Sequence, residues 1–140
     1  MPNSQLRVRF RVTVNDTPPI KRFKMKQENI ILDKTKSFAL RIIKLYKYMH
    51  TEHKEYLLSK QILCSGTSVG ANVREATRGQ STADFYAKMN IALKEAEETL
   101  YWLELLHESG YIETAHFTDI YNDGKEITKI LMAITKNQKS

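Results

Sequence analysis

At 140 residues the chain is long enough for one domain with a real core and too short for two. Hydrophobic content of 41% and charged content of 27% are those of a globular protein in water, and no apolar run nears the roughly 18 residues of a membrane span. The net charge of +6 sits mostly in residues 1–24, where six cations face Asp16 alone; the sixteen basic and fifteen acidic residues left over make 25–140 nearly neutral, which excludes a bulk electrostatic grip on nucleic acid by the body.

Leu6, Val8, Phe10, Val12 and Val14 alternate with Arg7, Arg9, Arg11 and Thr13, a period of two that spells a strand, and Asn15-Asp16-Thr17-Pro18-Pro19 breaks it. No second strand-like run follows to pair with it. Three readings stay open: a leader ahead of a natural start at Met25, a strand pairing between subunits, or a basic arm that orders on RNA. The expected organisation is therefore a non-helical leader over 1–24 and a helical domain over 25–140.

Four helices are predicted in that domain. The first runs from about Asp33, as N-cap, to about His50, with Phe38, Ile42, Leu45 and Met49 inward. After a turn at Thr51–Lys54 the second runs from about Glu55 to Thr77, with Leu58, Ile62, Ser65, Val69, Val73 and Ala76 on one face. Gly79 is its natural C′ residue. Ser81, with Asp84 three residues on, resembles a capping box for the third helix, which Gly110 closes. Its seam is Phe85, Met89, Ala92, Ala96, Thr99, Leu103 and Leu106. Thr114 is expected to cap the fourth, whose stripe is Phe117, Ile120, Tyr121, Gly124, Ile127, Leu131 and Ile134. Short turns make successive helices antiparallel neighbours, so the expected fold is an all-α, up-down-up-down four-helix bundle.

The third helix is apolar beyond one stripe. Ile91, Trp102 and Leu105, with Leu93 and Leu100, lie off the seam, so this helix is expected to be covered on a second side by copies of the chain. Gly66 and Gly70, four apart inside the second helix, cost roughly 1 kcal/mol each against alanine and point to close helix packing there. Walker spacing is absent, so the glycines do not read as a phosphate loop.

Asn72 with Glu75, and Glu95 with Glu98, are pairs three apart beside apolar seams. Carboxylates there need hydrogen bonds or partners, and a structural polar network between helices or subunits is the expected role, ahead of a catalytic pair. Glu104 with His107 and Glu113 with His116 have the Glu-x-x-His spacing of di-metal bundles, yet two further mid-bundle carboxylates are missing. The topology instead gathers His50, His53, His107 and His116 at one end as solvated side chains, so no metal and no cofactor is expected. Arg74, Arg78 and Lys88 are the candidate nucleic-acid edge, with Arg41 as a possible extension. No nucleophile elbow, Cys/His pair or dinucleotide fingerprint is present, so no catalytic residue and no enzymatic activity are expected. The single Cys64 excludes an internal disulfide, and without an export signal a cytoplasmic protein is expected.

The run Ser68-Val69-Gly70-Ala71-Asn72-Val73-Arg74-Glu75-Ala76, then Ser81 to Phe85, then Ile91-Ala92 with Glu95, Glu98-Thr99 and Trp102-Leu103, resembles the small four-helix-bundle proteins encoded in intervening sequences of bacterial 23S ribosomal RNA genes. The likeness covers about residues 26–136. It implies a ring-shaped homopentamer and a kinship with the accessory variability determinant of diversity-generating retroelements, which binds nucleic acid and a reverse transcriptase. It also places Asn72, Glu75, Glu95 and Glu98 on family motif positions with an architectural role. The expected function is thus a self-assembling scaffold for structured RNA. The alternative is a protein-interaction module that partners a nucleic-acid enzyme such as a reverse transcriptase.

Overall fold

The computed structural model describes residues 19–138, with side chains from Met25 onward, so the alternating Leu6–Val14 segment lies outside the described residues. Four helices follow: α1 Pro19–Glu52, α2 Leu57–Thr77, α3 Thr82–Glu108 and α4 Thr114–Thr135. Among the described residues there is no strand. The chain divides into two units, residues 1–30 and 31–140. The described part of the first is the opening stretch of α1, where Met25 and Ile30 are exposed.

The second unit is the antiparallel bundle expected from the sequence. Residues that meet across each helix pair run in opposite order. A Cβ built on Gly66 would touch Ile42, and one on Gly70 would touch Thr35, which sets α1 against α2. Thr99 bonds Ser65 and Lys88 pairs with Glu75 between α2 and α3. Tyr121 donates to Glu104 between α3 and α4. Lys34 pairs with Glu126 at 2.8 Å and Arg41 with Asp119 at 3.0 Å and with Asp123, which closes α4 onto α1.

The core is made of the predicted seams. Met89, Ala92, Ala96, Thr99, Leu103 and Leu106 of α3 are buried, as are Ile62, Ser65, Val69, Val73 and Ala76 of α2. In α4 the buried set is Ile120, Gly124, Ile127, Thr128, Leu131 and Ile134. Phe38, Ile42 and Met49 of α1 are buried too, and the stripe extends upstream through Thr35 and Ile31. Leu45, Leu58, Phe85, Phe117 and Tyr121 pack partly buried around this core.

The buried hydroxyls are satisfied. Thr35 donates to the Ile31 carbonyl at 2.7 Å. Thr99 lies 2.8 Å from Ser65 Oγ and 2.7 Å from the Glu95 carbonyl. A hydroxyl carries one proton, so Thr99 donates to the carbonyl and accepts from Ser65. No buried side-chain nitrogen or oxygen among the described residues lacks a partner.

Two helix starts differ from expectation. The first helix does not start at Asp33. It begins at Pro19, because Pro fits the first helical position and no breaker separates Ile20 from Asp33, so residues 19–24 are helical. Helix α4 is capped at Glu113 without a side-chain bond, while Thr114 is already helical and its hydroxyl meets His107 Nε2 at 3.2 Å. Helix α2 ends at Thr77 with Arg78 as C-cap and Gly79 at C′, as expected, although among the glycines only Gly110 has positive φ (86°). A Cβ at Gly79 would lie 2.7 Å from Asp84 Oδ2, the end of a side chain free to shift, and 3.1 Å from the Ala76 carbonyl oxygen. Ser81 does cap α3, accepting from the Asp84 amide at 3.0 Å.

Candidate nucleic-acid edge and the ends of the bundle

Arg74 and Arg78 lie four residues apart at the C-terminal end of α2, both exposed. Cations at a helix C-terminus complement its dipole, so part of their role is structural. Neither has an ion pair among the described residues. Lys88, on α3, is half-buried and stands 4.0 Å from Glu75, the limit of an ion pair, which dilutes its charge. Arg41 does not extend this edge, being held on the opposite flank by Asp119 and Asp123.

The groove between α1 and α2 supplies a cation that sequence reasoning missed. Its volume is about 340 Å³, its floor includes Thr35, Gly70 and Ala71, and its rim carries Lys36, Arg74 and Glu75. Lys36 is exposed, one residue from Thr35 and inside the first helix as read from the sequence. The signal was present in the sequence as Lys36 beside Thr35 on the buried stripe of α1.

The polar residues singled out in the sequence take separate places. Asn72 donates to the Ser68 carbonyl of its own helix at 2.9 Å. Glu75 faces Lys88. Glu98 accepts from Trp102 Nε1 at 3.3 Å, one turn along α3. Burial pushes the Glu95 carboxyl above its ordinary range, the neighbouring Glu98 charge adds to this, and Lys94 offsets part of it. Among the described residues no hydrogen bond joins Asn72 or Glu75 to Glu95 or Glu98. Gly66 and Gly70 serve packing of α2 against α1 of the same chain. On α3, Ile91 is 41% exposed, and Trp102 and Leu105 are half-buried, sharing the outer face with Glu95 and Glu98.

The turns after α1 and α3 do lie together, since His53 packs edge-on against Tyr111 with centroids 5.4 Å apart. Three of the four histidines there are engaged by aromatic rings, and His53 and His107 also meet hydroxyls. His50 lies between Tyr46 (5.4 Å) and Tyr56 (4.5 Å). His107 stacks on Phe117 at 4.1 Å, and Phe117 in turn stacks on Tyr121. His116 is exposed on the first turn of α4. Among the described residues no group of three His, Cys, Asp or Glu side chains could hold a metal ion. Burial, and then the hydrogen bond to the Glu104 carboxylate, raise the Tyr121 hydroxyl above its usual range, as befits a donor locked to an anion. No described helix is long and apolar enough to cross a membrane.

A family model described as 23S rRNA-intervening sequence protein matches residues 27–133. No curated protein matches the chain. Among solved structures, a protein of unknown function from the S23 ribosomal protein family of Bacteroides thetaiotaomicron VPI-5482 is 54% identical, with a TM-score of 0.78. The match covers 79% of this chain and 99% of that one. The family match spans α2, α3 and most of α1 and α4, and the chain belongs to the 23S rRNA-intervening sequence protein family.

Proposed function

We propose that this protein is a non-enzymatic bundle that assembles with copies of itself, as a homopentamer if it follows the family resemblance, and serves as a scaffold for structured RNA. The observation that carries the reading is the basic rim of the α1–α2 groove. Lys36 and Arg74 on that rim, and Arg78 four residues beyond Arg74 along α2, have no ion pair among the described residues, whereas Lys34, Arg41 and Lys88 are all paired. A few phosphate contacts per copy are weak, and repetition around an assembly multiplies them through effective concentration. A non-enzymatic role is supported by what the acidic groups do: Glu55 caps a helix, Asp119 and Asp123 hold Arg41, and Glu104 holds Tyr121.

The test is fluorescence anisotropy with a structured RNA hairpin over a salt series. Binding should weaken steeply with salt, and Arg74→Glu with Arg78→Glu should abolish it. No binding by the wild type at low salt overturns the RNA reading. The second reading, a module that docks on a protein such as a reverse transcriptase, is favoured by the exposed Ile91 and Tyr101 on α3. A partner pulled down equally well after nuclease treatment would establish it.

A further inference from the structure

The α1–α2 tip carries exposed aromatic rings with free cations around them, and the groove-edge reading leaves both unused. Tyr48 is 46% exposed and Tyr56 50% exposed, far more than rings that serve only packing. Both are held in place. Tyr48 meets His53 edge-on at 5.2 Å with its hydroxyl 3.2 Å from His53 Nε2, and His53 is braced by Tyr111. Tyr56 lies 4.5 Å from the His50 ring. The connection between them is fixed by the Met49 carbonyl, which accepts from the amides of His53 (3.3 Å) and Glu55 (3.1 Å) and so holds Lys54 at φ 50°. Rings oriented before binding lose little freedom when something stacks on them.

The charges fit the rings. Residues 44–60 include Lys44, Lys47, Lys54 and Lys60 against Glu52 and Glu55. All four lysines are exposed and have no ion pair among the described residues. Lys44 and Lys47 share the outward stripe of α1 with Tyr48, and Lys60 is one turn beyond Tyr56. Glu55 is engaged locally, its carboxylate accepting from the amides of Leu57, Leu58 and Ser59 at the start of α2, so the four lysines outnumber the carboxylates left to face them. Aromatic faces interleaved with unpaired cations match a chain whose bases are unpaired and whose phosphates are regularly spaced. A duplex hides its base faces and does not fit.

We propose that this tip is a binding site for single-stranded RNA, with unpaired bases stacking on Tyr48 and Tyr56 and phosphates held by Lys44, Lys47, Lys54 and Lys60. The proposal rests on the RNA reading above and assigns it a second, separate contact for single-stranded flanks of the same RNA.

The experiment titrates the full chain with a fluorescein-labelled oligouridylate and, in parallel, with the hairpin used above. Tyr48→Ala with Tyr56→Ala should weaken oligouridylate binding about fivefold or more, the loss expected for one stacked base, while hairpin binding to the groove edge changes little. Tyr48→Phe with Tyr56→Phe, which keeps the rings, should bind like the wild type. Lys47→Glu with Lys60→Glu should weaken binding and flatten its salt dependence. An alanine pair that keeps the helical circular-dichroism signal and binds oligouridylate as the wild type does overturns the site. So does a wild type that binds the hairpin alone, which leaves the scaffold reading standing. A wild type that binds neither RNA at low salt overturns both.

Discussion

Gly66 and Gly70 look alike in the sequence, and their surroundings separate them. A Cβ at Gly66 would stand 2.8 Å from both Cγ1 and Cγ2 of Ile42, a β-branched side chain that is fully buried and has little room to turn. At Gly70 the nearest atom is Thr35 Oγ1 at 3.3 Å, which is tight but short of a clash. Alanine gains roughly 1 kcal/mol of helix propensity at either place. Overpacking a core typically costs about 1–3 kcal/mol, so Gly66→Ala should be destabilising on balance and Gly70→Ala should fall within about 1 kcal/mol of the wild type. Urea denaturation of the two variants at one protein concentration measures the difference. Equal stability of the pair would contradict the asymmetry. The sequence shows that something must approach these glycines; which of them is the tighter depends on Ile42 and Thr35, which lie at unequal spacings along α1.

Helix boundaries divide into those written in local chemistry and those that are not. Ser81 was legible because one hydroxyl does the capping, and Gly110 because its positive φ suits glycine. The start of α2 was less so. Glu55 precedes the helix by two residues and accepts three backbone amides at 2.7–3.1 Å, a longer reach than the usual Ser, Thr or Asp cap. Burial pushes its carboxyl up, but the amides of Leu58, Ser59 and Leu57 outweigh that and hold it below its ordinary value. A depressed carboxyl stabilises the fold at pH values above its unfolded pKa, and that stabilisation is lost as pH falls through the folded one. Glu55→Ala should therefore cost about 0.5–2 kcal/mol at neutral pH. Thermal melts on a pH series should show the gap between wild type and variant closing on acidification. A gap that stays constant into the acid range would mean the carboxylate charge is irrelevant to the cap. The start of α1 was missed for a different reason: Asp33 has the composition of a cap, but its neighbours on both sides continue the helix.

At the scale of the molecule, the bundle followed from four apolar stripes and short turns, and the outer face of α3 is what those stripes leave over. Leu93, Leu100 and Trp102 turn out to pack partly on the chain's own core, which accounts for some of the surplus apolar surface the sequence assigned to neighbouring copies. Ile91, Leu105, Glu95 and Glu98 remain on the outer face. If copies seal this face, Ile91→Glu removes apolar burial and adds a charge to it. A fully buried isoleucine is worth about 1.5–3 kcal/mol and Ile91 has 41% of its surface left to cover, so each interface should weaken by roughly threefold or more. Glu95 gives the same contact a pH signature. Its carboxyl is already raised by burial and by Glu98, and covering it further would raise it more. A carboxyl raised by assembly favours the assembled state at pH values below its free value, and that contribution fades as pH rises through the assembled one. Sedimentation velocity should show wild-type assembly weakening from acid to neutral pH, and Glu95→Gln assembling more tightly at neutral pH with the slope reduced. The outcome against this arrangement is an Ile91→Glu chain with unchanged mass together with a Glu95→Gln chain indistinguishable from wild type. The outer face of α3 would then lie outside the contact, and the assembly would have to be built from another flank of the bundle.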